Sequence, residues 1–285
     1  MSLEELYPYP VKRMTLSGHD CAYIDEGTGT PLVFLHGFSV NLSSFSLIYP
    51  ALVKKRRVIG LDYPGYYLSE KKAGTRYDIP FMARAVCELI EMLGLDRVVL
   101  VGSSMGGAVA QEAALTAPDA ISALVLAAPA GFSGINRVLA SLLSVQKGLL
   151  PKKKLVDAMT RRLYDRVSTF VYNKESGFLK DVYHGYDAMR EREDYQLWIG
   201  TLLMMAREVL TADFRRRAGG ITAPTLIVWG DRDEVLPPEG ADIARNSYGP
   251  NLTLEIFGDV GHIPFAERPD VFVNLVDGFL SKHGQ

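Results

Sequence analysis

Two serines stand side by side in the run VVLVGSSMGGAVAQEAAL, residues 98–115. A serine becomes a nucleophile when a sharp strand-to-helix turn presents it, and that turn needs small residues two positions to either side. Around Ser104 those positions are Gly102 and Gly106; around Ser103 they are Val101 and Met105, which are too bulky. Ser104 is therefore the candidate nucleophile, set against a plain strand–helix turn with incidental serines. An acyl-transfer serine also needs a base, an acid that orients the base, and donors for the developing oxyanion. The chain has five histidines. His19 falls in a predicted hairpin turn, His184 in a helical stretch and His283 near the C-terminus. His262, in GDVGHIP after the last predicted strand, is the expected base. Among the acids of GDRDEVLP, the spacing Gly-x-x-Asp-x-x-x-Pro selects Asp233. Asp231 is expected to bond its own turn and Glu234 to point away, with Asp259 as the alternative acid. The expected oxyanion donors are the N–H of Met105, at a helix N-terminus, and that of Phe38, in the loop after a strand. His36, with Gly37 beside it, is expected to brace that loop.

The elements that must hold these groups follow from hydrophobic patterning. Residues 12–17 and 21–25 predict an antiparallel hairpin around Gly18-His19-Asp20. Apolar runs at 31–35, 57–61, 97–101, 121–127, 225–229 and 252–257 predict strands. Helical patterns at 45–53, 79–93, 107–115 and 269–280 fall between and after them. Such alternation implies an α/β fold, with a mainly parallel sheet, right-handed crossovers and helices on both faces. From 131 to 218 no strand fits the series. Apolar residues there recur at helical spacing, as at Ile135, Val138, Leu139, Leu142 and Leu143, and again in 155–172 and 194–210. The expectation is a core of residues 1–130 and 219–285 with a helical cap at 131–218. That cap would cover the carboxyl edge of the sheet, where ligand sites lie.

Composition narrows the function classes. With 285 residues and 48% hydrophobic content the chain can bury a large core, and a net charge of −2 gives no reason to expect nucleic acid. Cys21 and Cys87 lack metal-ligand or C-x-x-C spacing and read as two free thiols in a reducing compartment, and an acyl-enzyme mechanism on Ser104 needs no metal or cofactor. The N-terminus lacks a basic start and an apolar run, and no stretch is long enough to span a bilayer. A soluble, cytoplasmic protein acting on a small molecule is expected. Basic clusters at 152–154, 161–162 and 215–217 offer a weak membrane-surface contact through the cap, against the alternative of solvated helix faces. Phe170, Trp198, Leu202, Leu203, Met204 and Met205 either line an acyl pocket or form the cap's own core.

Taken in order, LVFLHGF (32–38), LDYPGYYLS (61–69), LVGSSMGG (100–107), LIVWGDRDEVLP (226–237) and GHIPFAERP (261–269) resemble the α/β-hydrolase family across nearly the whole chain outside the insertion. The resemblance implies an eight-stranded, mostly parallel sheet, a helical cap between the sixth and seventh strands, and a triad of Ser104, Asp233 and His262. One position departs from the family pattern D-x-P-G-x-G-x-S: Tyr67 stands at its second glycine. Dehalogenase and epoxide hydrolase relatives use an aspartate where this chain has Ser104. Meta-cleavage-product C–C hydrolases usually place an aromatic residue after the histidine, where Ile263 stands here. Prolyl aminopeptidases generally carry a tryptophan at the position of Met105. The form G-x-S-M-G-G resembles monoacylglycerol lipases and small carboxylesterases, which implies a carboxylic ester substrate. C–C bond hydrolysis and a low-turnover receptor role are the alternatives within the family.

Overall fold

Valine, leucine and isoleucine dominate the central strands, which are buried end to end, as a parallel sheet covered on both faces requires. The computed structural model describes residues 3–132, 168–174 and 177–285. Its strands are β1 (Lys12–Leu16), β2 (His19–Glu26), β3 (Pro31–Leu35), β4 (Arg57–Leu61), β5 (Val98–Ser103), β6 (Ile121–Ala127), β7 (Thr225–Gly230) and β8 (Leu252–Phe257). They form one eight-stranded sheet in the order β1-β2-β4-β3-β5-β6-β7-β8. The β1–β2 and β2–β4 pairs are antiparallel and all others are parallel.

The chain leaves β3 for β4 on one side and then returns to place β5 on the other. That reversal opens a crevice at the carboxyl ends of β3 and β5, where open α/β sheets bind ligands. Helix α1 (Ile79–Met92) begins where the Asp78 carboxylate accepts the Phe81 N–H at 2.9 Å, and Gly94, at φ +59°, follows its end. Helix α2 (Met105–Thr116) leaves β5 directly. After β6 come α3 (Phe178–Arg190) and α4 (Tyr195–Thr211), followed past β7 by α5 (Glu239–Tyr248) and past β8 by α6 (Pro269–Lys282). Among the described residues between β6 and β7 there is no strand.

Several sequence expectations change here. The hairpin turns at Ser17 and Gly18, at φ +47° and +76°, so His19 is not a turn residue but a buried member of β2. The stretch 45–53 is not one helix; helical turns at Leu42–Phe45 and Tyr49–Leu52 occupy that region. Of the predicted helix 155–172, the described part holds a 3-10 turn at Ser168–Phe170 and then leaves helical structure. The Ile135–Leu143 pattern and the basic clusters at 152–154 and 161–162 lie outside the described residues. The third cluster is largely engaged locally: Arg215 pairs with Asp213 and Arg217 with Glu112, both at 2.7 Å.

Tyr67 has a physical reason for replacing glycine. Its backbone holds φ +32°, a region that favours glycine, but its ring is fully packed beneath the inserted helices. The hydroxyl donates to the Ser39 carbonyl at 2.8 Å, and the ring meets Trp198 of α4 edge-on at 5.4 Å. Lys71 adds an ion pair to Asp194, just before α4, at 3.0 Å. The loop after β4 thus ties the core to α4.

Candidate active site

Ser104 sits between the last residue of β5 and the first of α2, at φ +54° and ψ −114°. The flanking sterics allow nothing larger than glycine. A Cβ at Gly106 would fall 1.9 Å from the Leu35 carbonyl oxygen, and one at Gly102 would fall 2.5 Å from the Gly106 oxygen. Backbone bonds fix the turn: the Ser104 N–H donates to Ala127 O at 2.9 Å, and its carbonyl accepts from Gly107 and Ala130 at 3.0 and 2.9 Å.

The loop after β3 lies against this turn, since a Cβ on Gly37 would come within 3.6 Å of the Ser104 Cβ. His36 joins that loop to the next one. Its Nδ1 lies 2.9 Å from Gly37 O, and its Nε2 accepts the Tyr63 N–H at 3.4 Å. A ring that donates from one nitrogen and accepts at the other is neutral, and complete burial pushes its pKa down to about 3. Asp62 holds the β4 loop from below, accepting the Leu42 and Leu68 N–H groups at 2.9 and 3.3 Å and the Tyr7 hydroxyl. Burial pushes its carboxyl up to about 6. Met105 opens α2, so its N–H has no acceptor within the helix. Phe38 lines the cavity that Ser104 borders.

Asp233 and His262, from the loops after β7 and β8, meet at 2.7 Å between Oδ2 and Nδ1, and both are buried. The other oxygen of Asp233, Oδ1, accepts the N–H groups of Val235 and Leu236 at 2.8 and 2.9 Å. Oδ2 also accepts the Trp229 indole N–H at 3.1 Å. These bonds hold the carboxylate as an acceptor, so the His262 proton resides on Nδ1 and leaves Nε2 free to accept one. Cys21 offers no rival nucleophile, as burial pushes its thiol up to about 12.

Ser104 and His262 border one cavity of about 440 Å³. Its described lining is mostly apolar and aromatic, including Phe38, Phe170, Phe178 and Phe265. Three residues of α4, Ala206, Val209 and Leu210, are in the described lining, and Leu202 to Met205, for which pocket wall and cap core were both open, are not. Trp198, Leu202 and Met205 are buried, Trp198 against Tyr67 and Tyr186, while Met204 is exposed. Sequence spacing identified the helix but not which face meets the cavity. Glu234, although exposed, is among the residues that border the cavity. Asp231 bonds across to the Val260 N–H at 3.3 Å, and Asp259 is exposed and pairs with Arg232 at 3.5 Å. His184 lies on α3 and His283 follows α6 against Phe279. Sequence reasoning assigned no role to Trp229 or Glu267, although both lie inside the quoted motifs. Among the described residues, no group of three or more His, Cys, Asp or Glu is placed to hold a metal, and no helix is long and apolar enough to cross a membrane.

Comparison with known proteins gives one family: residues 30–269 match the model of the alpha/beta hydrolase fold. The chain is 29% identical to a monoacylglycerol lipase (abhd6-A) of Xenopus laevis, over 90% of this chain and 76% of that one. It is 28% identical to a 2-hydroxy-6-oxo-2,4-heptadienoate hydrolase of Pseudomonas putida, over 95% and 96%. An esterase structure from Exiguobacterium antarcticum superposes with a TM-score of 0.78 at 25% identity, covering 95% of this chain and 99% of that one.

Proposed function

The chain belongs to the α/β-hydrolase fold family, and we propose that it hydrolyses carboxylic esters through an acyl-enzyme on Ser104, with residues 131–218 acting as a cap. The observation that carries this reading is the 2.7 Å contact between His262 Nδ1 and Asp233 Oδ2, made beside the cavity that Ser104 borders. His262 Nε2 takes the Ser104 proton as Oγ bonds to the ester carbonyl carbon. The carbonyl oxygen gains the negative charge and is met by the Met105 and Phe38 N–H groups. The carbon–oxygen bond to the alcohol then breaks, and the imidazolium returns its proton to that oxygen. Water, deprotonated by His262, attacks the acyl carbon, releases the acid and restores Ser104. Asp233 holds the tautomer and stabilises the imidazolium throughout.

Relatives in the family include both a lipase and a dienoate hydrolase, so the bond cleaved is the point to decide. The described lining favours the ester. A dienoate carries a carboxylate, and the described lining, largely aliphatic and aromatic, holds no lysine or arginine to pair with it. A neutral acyl group is matched instead. Hydrolysis of p-nitrophenyl esters of increasing acyl length tests this, with a dienoate run alongside. We expect ester turnover that Ser104→Ala lowers by on the order of 10⁶ in kcat. Turnover of the dienoate alone would replace the ester reading with C–C hydrolysis.

A further inference from the structure

We propose that Glu267 is a positioning residue that makes the placement of His262 depend on docking of residues 170–173, the described return of the insertion. This rests on the reading of His262 as the base.

Glu267 lies five residues after His262, in the turn Pro264–Glu267, and its side chain is nearly buried. Its two oxygens serve two different parts of the chain. Oε1 accepts the Gly261 N–H at 2.9 Å, immediately before His262. Oε2 accepts the Tyr172 and Asn173 N–H groups at 2.9 and 2.8 Å. The same two segments also meet directly, since the His262 N–H donates to Phe170 O at 2.9 Å. Gly261 is pressed into this joint, for a Cβ there would come 2.7 Å from the Tyr172 nitrogen. Phe170 adds an edge-on ring contact to His262 at 6.1 Å and itself lines the cavity.

A carboxylate is the one side chain of this length that accepts on both oxygens at once. Glutamine cannot replace it. Whichever way the amide turns, its NH2 faces either Gly261 N–H or the pair at 172 and 173, and one side of the joint is lost. The base is therefore held by one face of the insertion, through a bridge of three hydrogen bonds centred on Glu267. When residues 170–173 withdraw, His262 loses its backbone acceptor and Gly261 loses the anchor that fixes the carboxylate opposite it.

The readout must separate a displaced base from a weakened fold. His262 gives a proton to the departing alkoxide, which p-nitrophenoxide, a good leaving group, hardly needs. A displaced His262 therefore harms an alkyl ester more than the p-nitrophenyl ester of the same acid. Loss of folded protein harms both equally. We expect Glu267→Gln to lower kcat/KM for the alkyl ester by roughly 100-fold, the cost of a misplacement near 1 Å, and for the nitrophenyl ester by roughly tenfold or less. Asn173→Pro, which removes one N–H on the insertion side only, should give the same selective loss at smaller size. Equal losses on the two esters, or none, would overturn the positioning role. A selective loss in Glu267→Gln with a silent Asn173→Pro would overturn the dependence on the insertion. Should the wild type turn over no ester, the His262 Nδ1–H resonance in proton NMR carries the test. Broadening of that signal in both variants supports the bridge, and an unchanged signal removes it. Failure of the ester reading is thus separable from failure of the bridge.

Discussion

The serine side and the histidine side of this site are built in different ways. Ser104 is fixed by core backbone: the end of β3 crowds Gly106 and the first turn of α2 crowds Gly102 so closely that neither tolerates a side chain. His262 stands in a loop held by a handful of polar contacts, to Asp233, to Phe170 and, one residue back, to Glu267. Steric exclusion in a packed interior is insensitive to what lies above the sheet. Directed hydrogen bonds last only while both partners are in place. The candidate nucleophile thus belongs to the core, while the candidate base also touches residues 170–173.

The contrast is broken most completely by overfilling the rigid side. Gly106→Ala places a Cβ on backbone oxygens that cannot move without parting β3 from β5. It should cost about 4 kcal/mol or more and leave little folded protein, as measured by denaturant unfolding. A near-normal Tm would show that the elbow is looser than its contacts imply.

On the histidine side the largest kinetic effect should come from Asp233→Asn, with a modest loss of Tm because the Trp229 indole N–H then faces an amide NH2. The amide oxygen stays with the Val235 and Leu236 N–H groups, which turns the NH2 toward His262 and forces the wrong tautomer. A fall of about 10⁴ in kcat is expected for such a change. A fall below tenfold would hand the acid role to another residue, Asp259 first.

The smallest effect is on pH, and it sharpens the picture of the serine side. His36 in the folded chain titrates near 3, below its ordinary value, so its contribution is present above about 6.5 and is lost as pH falls toward 3. Asp62 titrates near 6, above its ordinary value, so its contribution is present below about 4 and is lost as pH rises through 6. The two slopes oppose each other between pH 4 and 6. His36→Gln should therefore gain stability on acidification over that interval, on the order of 3 kcal/mol, and Asp62→Asn should lose a similar amount. Unfolding measured at pH 4 and pH 6.5 checks both signs; parallel slopes in the two variants would refute the assignment.

Much of this was legible in the chain. The strands at 31–35, 57–61, 121–127 and 252–257 lie where patterning puts them, because a buried parallel strand is a local run of apolar residues. The elbow was legible because its constraint is steric and acts within a few residues of Ser104. His19 was misplaced because Ser17 accepts the left-handed turn position that a glycine rule assigns further along. Periodicity left open whether the apolar residues of α4 line the pocket or form cap core, because it gives two opposite faces of the helix and does not say which one meets the cavity.

By itself the sequence determined the α/β alternation, the glycine-flanked Ser104 and the candidate residues Asp233 and His262. Each depends on spacing along the chain, through strand and helix periods or the geometry of one turn. Only the tertiary structure decided that Glu234 borders the cavity, that Tyr67 fills the space under α4, and that Glu267 bridges Gly261 to residues 172 and 173. Those facts depend on which surfaces meet across long stretches of chain, 95 residues in the case of Tyr172 and Glu267. Contact at that separation is set by packing the whole molecule, and no local pattern encodes it.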